Sequence, residues 1–254
     1  MIFKLFSKRV VTGEPVAAVP DGKRVYAIGD IHGRLDLLEA LLSKIHEDDR
    51  RRGSLDTQLI LLGDLVDRGP HSAQVIDRVL QLKAEYPATR ILLGNHEEIF
   101  SLALAGDLKA LKLFTRIGGR ETILSYGISE ETYHEAGFPE LLTMIQAAVP
   151  REHVEFLDAL EDLIIIGGYA FVHAGIRPDE PLDRQRVADL RWIRDEFLLH
   201  RGALEKVVVH GHTIAEDVEL LSHRIGLDTG AYSSGVLSAM GFEGHERWVL
   251  QAKI

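Results

Sequence analysis

Glycine stands beside aspartate, asparagine or histidine in five short stretches of the sequence: GDIHG (29–33), GDLVDRGP (63–70), GNHE (94–97), VHAG (172–175) and VHGHT (209–213). One such stretch alone is an ordinary turn, because glycine and asparagine tolerate positive φ. Five of them together favour convergence on one site. Their carboxylates, imidazoles and amide carbonyl form a mixed oxygen and nitrogen ligand set, which suits manganese, iron or zinc.

Such a ligand set can hold two ions if one aspartate bridges them. Paired divalent ions about 3.5–4 Å apart hold the attacking and leaving oxygens of a phosphoryl displacement and lower the pKa of a shared water. The residue types therefore indicate metal-dependent hydrolysis of a phosphoester. We expect direct attack by a hydroxide that bridges the two divalent metals, without a phosphoenzyme.

The first three stretches each follow an apolar run, at residues 24–28, 58–62 and 90–93, and segments of helical period lie between these runs. Alternating strands and helices imply right-handed crossovers between parallel strands. In such a sheet the functional loops gather at the carboxyl ends of the strands. The pattern therefore places the first three stretches at one edge of a sheet.

The rest of the chain changes pattern twice. Residues 97–160 read as mostly helical, and we predict that they form a cap beside the site. From residue 163 onward, short apolar runs bounded by glycine indicate hairpins and a second sheet. We predict an α/β fold of two packed mixed β-sheets flanked by helices. Residues 22–254 are expected to form a single domain, preceded by a poorly ordered tail at residues 1–21.

Composition excludes several classes of protein. The net charge of −10 disfavours binding to nucleic acid, whose phosphates a negative surface repels. The absence of cysteine excludes a cysteine-nucleophile phosphatase and a thiolate-bound metal. The longest apolar runs fall short of the roughly 20 residues of a membrane span. We therefore expect a cytoplasmic protein without a membrane span.

In this order, the motifs GDIHG, GDLVDRG, GNHE, HAG and GHT resemble the calcineurin-like metallophosphoesterase superfamily, and in particular its phosphoprotein phosphatase branch. They extend from Asp30 to about Gly230. The resemblance implies a first metal bound by Asp30 and His32, a bridging Asp64, and a second metal bound by Asn95, His173 and His212. Manganese is the expected metal, with iron or zinc as alternatives.

The resemblance also has implications for residues beside these ligands. His210 is implied to be a neighbour of the site rather than a ligand. Ile214 occupies a position at which other members of the superfamily often carry a further histidine, so one metal is expected to have fewer protein ligands. For Arg34 and His71 we favour a role at a helix start or at the surface, with contact to substrate as the alternative.

Four further residues are predicted to act on the substrate. Arg68 carries a planar guanidinium that can bind two phosphate oxygens at once. His96 is the predicted proton donor to the leaving oxygen, and Asp67 is predicted to hold it in that state. The resemblance to bacterial and phage relatives implies that Arg194 is a second phosphate-binding arginine.

The predicted substrate is a phosphorylated protein or peptide, cleaved at phosphoserine or phosphothreonine. The alternative is a small phosphoester or dinucleotide, as in the diadenosine tetraphosphatases, which hydrolyse dinucleoside polyphosphates. Those enzymes commonly lack the aspartate of the DRG triplet and carry GNHD, whereas this chain has Asp67 and Glu97, so the protein phosphatase is preferred. A binding module without bound metal is disfavoured, because all the ligand and dyad positions are present.

Overall fold

The computed structural model describes residues 17–254. The strands of this part of the chain are β1 (Lys23–Ile28), β2 (Asp56–Leu61), β3 (Arg90–Ile91), β4 (Leu163–Ile166), β5 (Tyr169–Val172), β6 (Val207–His210), β7 (Glu219–Leu220), β8 (Arg224–Gly226), β9 (Val236–Glu243) and β10 (Glu246–Lys253). The helices are α1 (Leu35–Arg52), α2 (Ser72–Glu85), α3 (Asn95–Leu104), α4 (Leu108–Ile117), α5 (Gly119–Ser125), α6 (Glu130–Glu135), α7 (Phe138–Ala148), α8 (Arg151–Asp158), α9 (Val187–Trp192), α10 (Asp195–Leu198) and α11 (Ala231–Ser234).

The first sheet has the strand order β10-β9-β1-β2-β3. Strands β1, β2 and β3 are parallel, with α1 and α2 as the crossovers, as the alternating pattern predicts. Strands β9 and β10 form an antiparallel hairpin that pairs with β1. Val25, Ala27 and Ile28 of β1 are all fully buried, because this central strand is covered on both faces.

The second sheet has the strand order β4-β5-β6-β8-β7. Its centre, β5, β6 and β8, is parallel, and its two edge strands are antiparallel to their neighbours. Apolar side chains of both sheets share one buried cluster, in which the rings of Phe171 and Phe242 lie 5.7 Å apart in a T-shaped contact. The prediction of two packed mixed sheets flanked by helices is confirmed.

Residues 97–160 are mostly helical and contain the greater part of α3 and the five helices that follow it. The rings of Phe100 and Phe114 stack at 4.9 Å between α3 and α4. Both rings belong to the cluster that also buries α1 and α2 against the first sheet. The segment therefore packs on the same side of the first sheet as its crossover helices.

The predicted tail at residues 1–21 lies mostly outside the described residues. Of its last part, Val19 is buried and donates its N–H to the carbonyl of Gly244 at 2.9 Å. The N–H of Gly168 donates to the carbonyl of Ala18 at 2.8 Å. Packing in the described chain thus begins before the predicted boundary at residue 22.

Between residues 17 and 254, no helix has both the length and the apolar character that a membrane crossing requires. The cytoplasmic location stays a prediction.

Candidate active site

The five glycine-containing stretches meet where parallel strands of the two sheets end. Asp30, Asp64 and Asn95 follow β1, β2 and β3 of the first sheet. His173 and His212 follow β5 and β6 of the second sheet. All five side chains are buried, although each carries a polar or ionisable group. Buried groups of this kind need partners, and here they become partners of one another.

One group of donor atoms surrounds the side-chain oxygen of Asn95. Asn95 Oδ1 lies 3.0 Å from His173 Nε2 and 2.8 Å from His212 Nδ1. His173 Nε2 lies 3.4 Å from Asp64 Oδ1. Ligands that share one ion at metal–ligand distances of about 2.0–2.2 Å are separated by about 3 Å or slightly more. These four side chains can therefore share one divalent ion.

A second group of donor atoms lies on the other side of Asp64. Asp64 Oδ2 is 3.5 Å from His32 Nε2, while Asp64 Oδ1 faces His173. The groups His32–Asp64–His96 and Asp64–His173–His212 each have possible ligand atoms within 4.8 Å of one another. Asp64 belongs to both groups, which is the arrangement that a bridging ligand requires.

Asp30 lies beside the backbone of the last stretch and accepts the N–H of His212 at 2.9 Å through Oδ2. Burial raises the pKa of Asp30 well above its usual value, and the charges of Asp228 and Asp64 raise it further. Clustered buried carboxylates of this kind are stabilised by a cation. The donor set thus fits bound divalent metal.

Two backbone carbonyls fix the histidines in the form that binds metal. His32 Nδ1 lies 2.7 Å from the carbonyl of Val66, and His173 Nδ1 lies 2.8 Å from the carbonyl of Leu62. Because a carbonyl can only accept, each Nδ1 carries the proton and each Nε2 keeps a lone pair directed at the site. Burial lowers the pKa of His32 to about 3 and also lowers that of His173. Both imidazoles are therefore neutral at neutral pH.

Glu97 holds the loop that carries Asp64. Its buried carboxylate accepts the N–H groups of Asp64 at 2.8 Å, Leu65 at 2.8 Å and Val66 at 3.1 Å. It also accepts the N–H of Gly94, which immediately precedes α3, at 3.0 Å. Glu97 stands in the first turn of α3, where a carboxylate also suits the positive end of the helix dipole. Its hydrogen bonds link the loop after β2 to the segment after β3.

The predicted proton donor and its partner are in contact. His96 Nδ1 lies 2.6 Å from Asp67 Oδ2. Burial lowers the pKa of His96, but Asp64 and Asp67 raise it by more, so the net shift is upward. Asp67 is itself held by Thr122 of α5, whose hydroxyl donates to Asp67 Oδ1 at 2.6 Å and accepts the N–H of Asp67 at 2.9 Å. Segment 97–160 thus supports this pair directly.

Arg68 reaches into the centre of the site. Its Nη1 lies 2.8 Å from His32 Nε2 and its Nη2 lies 2.9 Å from His96 Nε2. The carbonyl of Gly118 accepts the backbone N–H of Arg68 at 3.0 Å. The ring of Tyr232 lies 4.9 Å from the guanidinium carbon, within the range of a cation–π contact.

Arg194 is placed at the rim of the site. It is exposed, and its Nη1 lies 3.5 Å from the hydroxyl of Thr213, which follows His212. Among residues 17–254, no carboxylate forms an ion pair with Arg194. Its charge is therefore available to an anion.

Three residues near the motifs lie outside the two groups of donor atoms. Arg34 donates to Asp36 and to the carbonyl of Ala231. His71 is exposed immediately before α2. His210 is buried between the carbonyl of Gly211 and Arg224, with ring-nitrogen distances of 3.0 and 3.3 Å. All three positions agree with the surface or neighbour roles that the sequence favours.

Sequence reasoning missed three residues of the site, namely Thr122, Asp228 and Tyr232. Asp228 is buried, and its Oδ2 has no hydrogen-bond partner among the described residues. Burial raises its pKa to about 6. Its stretch LDTG has the same glycine-bounded aspartate after a strand as the recognised motifs, so that pattern could have identified it. Thr122 and Tyr232 carry no comparable local signal.

The backbone of the site is unusual. Within residues 17–254, positive φ outside glycine occurs at five positions, all in the site: His32, Asp64, Asp67, Arg68 and His212. Non-glycine residues adopt this conformation at a free-energy cost of order 1–3 kcal/mol when the region is sparsely populated. The surrounding hydrogen bonds hold this strained backbone in place.

A family model described as calcineurin-like phosphoesterase matches residues 23–250. The chain belongs to this family. Members of this phosphoesterase family bind pairs of divalent metals, and the two groups that share Asp64 match that requirement. The identity of the metal is not fixed by the ligand set.

Curated relatives of this phosphoesterase include proteins named bis(5'-nucleosyl)-tetraphosphatase PrpE (asymmetrical). The one from Anoxybacillus flavithermus is 27% identical over 85% of this chain and 89% of its own length. The one from Bacillus velezensis is 26% identical over 86% of this chain and 89% of its own length. These names agree with the alternative prediction, a dinucleoside polyphosphate substrate, rather than with the preferred prediction, a phosphorylated protein or peptide.

Solved structures of similar fold come from both branches. A candidate diadenosine tetraphosphatase is 24% identical, with a TM-score of 0.62 over 94% of this phosphoesterase and 99% of the other chain. A serine/threonine phosphatase from Saccharomyces cerevisiae is 14% identical, with a TM-score of 0.54 over 92% and 80% of the two chains. At such identities the likeness shows the shared fold.

Proposed function

We propose that this phosphoesterase hydrolyses dinucleoside polyphosphates and uses two divalent ions as its cofactor. The observation that carries the phosphoester chemistry is the position of Asp64, whose two oxygens face two separate groups of donor atoms. The substrate class rests on the relatives named as asymmetrical bis(5'-nucleosyl)-tetraphosphatases, which align over most of both chains. The preferred prediction of a protein phosphatase gains no such support.

The proposed ligands divide between the two ions. Asp30 and His32 would hold one ion, Asn95, His173 and His212 would hold the other, and Asp64 would serve both. When bound, such a pair lowers the pKa of a water and neutralises charge on the transferring phosphoryl group. Manganese is the metal that we expect, although this ligand set also suits iron and zinc.

Two arginines are proposed to bind the phosphates. Arg68 lies at the centre of the site, where its planar guanidinium can contact two oxygens of the phosphoryl group under attack. Arg194 lies at the rim without a carboxylate partner in the described chain, in a position suited to a phosphate farther along the polyphosphate. Positive charge fixed in advance stabilises the charge that develops in the transition state.

His96 is proposed to protonate the leaving oxygen. Asp67 binds Nδ1 at 2.6 Å and raises the pKa of His96. Because Arg68 can only donate, Nε2 can carry and deliver a proton once Arg68 turns from it to a phosphate oxygen. A polyphosphate is a good leaving group and needs this proton less than a serine alkoxide does. This pair is therefore the specific observation that favours a second candidate, hydrolysis of phosphoserine or phosphothreonine.

Product analysis tests the proposal. The protein, loaded with Mn²⁺, is incubated with diadenosine tetraphosphate, and the nucleotides are separated by anion-exchange chromatography. We expect ATP and AMP in equal amounts, the products of asymmetrical cleavage. Asp64→Asn should lose nearly all of this turnover, whereas Glu135→Gln at an exposed position should keep it.

The same preparation is assayed on phosphoserine and phosphothreonine peptides. If kcat/KM for a peptide exceeds that for the dinucleotide by orders of magnitude, the second candidate replaces the first. Formation of ADP as the sole product would contradict the asymmetrical reaction.

A further inference from the structure

An open depression of about 500 Å³ borders the candidate active site. Its walls come from Arg177 and from the segment that contains the end of α9 and the start of α10. Its volume falls within the range of about 300–1,000 Å³ that is typical of small-molecule sites. No residue of this depression except Arg194 has a role in the chemistry proposed above.

Two contacts tie the depression to the candidate metal ligands. Arg194, in its wall, approaches Thr213, which follows His212. Trp192, also in its wall, donates its indole N–H to Glu98 at 2.5 Å. Glu98 lies in the first turn of α3, which begins at Asn95. The depression therefore adjoins the group of Asn95, His173 and His212.

Trp192 is the large aromatic side chain of this wall, and 38% of its surface is exposed. Its one polar group is already bonded to Glu98, so the exposed remainder offers only aromatic surface. The same bond fixes the ring, which reduces the entropy lost when a partner binds. A fixed and partly exposed indole suits stacking with another planar ring.

Charge is distributed unevenly along the depression. Arg177 is paired with Asp189 at 3.0 Å and with Glu196 at 3.9 Å. Arg194, nearest the candidate metal ligands, has no carboxylate partner among residues 17–254. Phosphate is therefore favoured at Arg194 and disfavoured near the carboxylates, which can instead accept hydrogen bonds from sugar hydroxyls.

We propose that this depression binds one nucleoside of the dinucleoside polyphosphate. The base stacks on Trp192, the ribose hydroxyls donate to the carboxylates of the wall, and the attached phosphates extend past Arg194 to the catalytic residues. This inference rests on the proposed function, because it assigns a place to the part of the substrate that is not hydrolysed.

Steady-state kinetics provide the first test, with Trp192→Ala, Trp192→Phe and the control Val187→Ala. Val187 is also on α9 and exposed, but it does not line the depression. Loss of a base–aromatic stack corresponds to about a 5- to 150-fold effect on binding. We expect Trp192→Ala to raise KM for diadenosine tetraphosphate by this amount and Trp192→Phe to restore much of the loss. Val187→Ala should match wild type.

The parallel substrate is p-nitrophenyl phosphate, which carries no nucleoside. Its KM should change several-fold less in Trp192→Ala than the KM for the dinucleotide. An equal change for both substrates would indicate a general disturbance of the site and would overturn the nucleoside assignment.

A binding measurement makes the second test independent of turnover. The chain has two tryptophans, and Trp248 lies elsewhere, with the guanidinium of Arg52 3.4 Å from its ring. In a Trp248→Phe protein, fluorescence reports Trp192 alone. We expect AMP to quench it and ribose 5-phosphate, which lacks the base, to leave it unchanged.

The two tests separate this inference from the proposed function. Quenching by AMP in a protein that does not cleave the dinucleotide would support the nucleoside site and reject the proposed reaction. Cleavage of the dinucleotide with no quenching, and with unchanged KM in Trp192→Ala, would keep the reaction and overturn the nucleoside site.

Discussion

At the scale of single residues, the donor atoms of the site are oriented by hydrogen bonds to two backbone carbonyls and to one buried carboxylate. His32 and His173 are fixed by the carbonyls of Val66 and Leu62, and the loop of Asp64 is fixed by the carboxylate of Glu97. Such supporting contacts set both the tautomer and the direction of a ligand. The direction of each of these candidate ligands is therefore set by contacts within the protein.

The first prediction concerns His96. If His96 protonates the leaving oxygen, His96→Asn should reduce kcat most for substrates with a poor leaving group. A loss of about 10²–10⁴-fold is expected on a phosphoserine peptide, as for removal of a general acid. The loss should be far smaller on p-nitrophenyl phosphate and on diadenosine tetraphosphate, whose leaving groups need little protonation.

The measurement is kcat for all three substrates with the same protein preparation and metal. Arg34→Lys is a suitable control, because Arg34 binds Asp36 and a backbone carbonyl and has no place in the proposed chemistry. Equal losses on all three substrates would show that His96 serves the structure of the site rather than proton transfer.

The sequence allowed a residue of the site to be predicted where that residue lies in a local motif. Asp30, His32, Asp64, Asn95, His173 and His212 all lie in glycine-bounded stretches, and the structure brings them together; their roles as ligands stay a proposal. Thr122 and Tyr232 could not be predicted in this way. Each comes from a distant segment, and its contact with Asp67 or Arg68 exists only after folding.

At the scale of secondary-structure elements, one carboxylate joins α1 to the central strand and to one edge strand of the first sheet. Asp48 Oδ2 accepts the hydroxyl of Tyr26 in β1 at 2.8 Å and the indole N–H of Trp248 in β10 at 2.8 Å. Arg52, one turn further along α1, donates to the same oxygen at 3.0 Å. This contact fixes how α1 lies on the sheet.

Asp48→Ala is predicted to lower the free energy of unfolding by on the order of 2 kcal/mol, because it leaves Tyr26 and Trp248 with unsatisfied donors. Burial raises the pKa of Asp48, but the bonds from Tyr26 and Trp248 and the charge of Arg52 lower it by more. A carboxylate with a lowered pKa stabilises the folded state above its unfolded pKa of about 3.9, and this contribution is lost as pH falls.

Urea unfolding at several pH values checks this prediction. The difference between wild type and Asp48→Ala should be constant near neutral pH and shrink below about pH 4. Glu47→Gln, on the exposed side of the same helix, should change the unfolding free energy by less than about 1 kcal/mol. A difference that grows at acid pH would contradict the assigned role of Asp48.

The elements were predictable where their signal was local. Apolar runs and helical period identified the strands and crossovers of β1, β2 and β3, as well as the helical character of residues 97–160. The pairing of β9 with β1 was not predictable, because strand partners distant in sequence are selected by burial and register across the whole fold. The same is true of the antiparallel edges of the second sheet.

At the scale of the whole molecule, the candidate metal ligands connect the two sheets. Asp30, Asp64 and Asn95 follow strands of the first sheet, and His173 and His212 follow strands of the second. Bound ions would therefore hold together the carboxyl ends of both sheets. A ligand that binds the folded state alone stabilises it by about 2.7 kcal/mol at a concentration 100 times its Kd.

This arrangement predicts that Mn²⁺ raises the Tm of the protein and that EDTA reverses the effect. Asp64→Asn should greatly reduce the rise in Tm, because Asp64 faces both groups of donor atoms. The exposed substitution Glu135→Gln should respond to Mn²⁺ as wild type does. A Tm that is independent of Mn²⁺ in wild type would contradict the proposed metal site.

Architecture followed from the sequence at this scale, but substrate choice did not. Periodicity indicates two sheets flanked by helices, and the order of motifs indicates the family. The depression at Trp192 arises from the way α9, α10 and Arg177 meet in space. Substrate specificity depends on such surfaces, and they produce no periodic pattern in the sequence.

The left-handed backbone at His32, Asp64, Asp67, Arg68 and His212 has a consequence for protein engineering. Glycine tolerates this conformation without the steric cost that other residues bear. Selection of a random library for heat resistance alone would therefore tend to enrich glycine at these positions and recover folded proteins that have lost the reaction. Stabilised variants of this enzyme should instead be sought away from the loops that follow β1, β2 and β6, with turnover included in the screen.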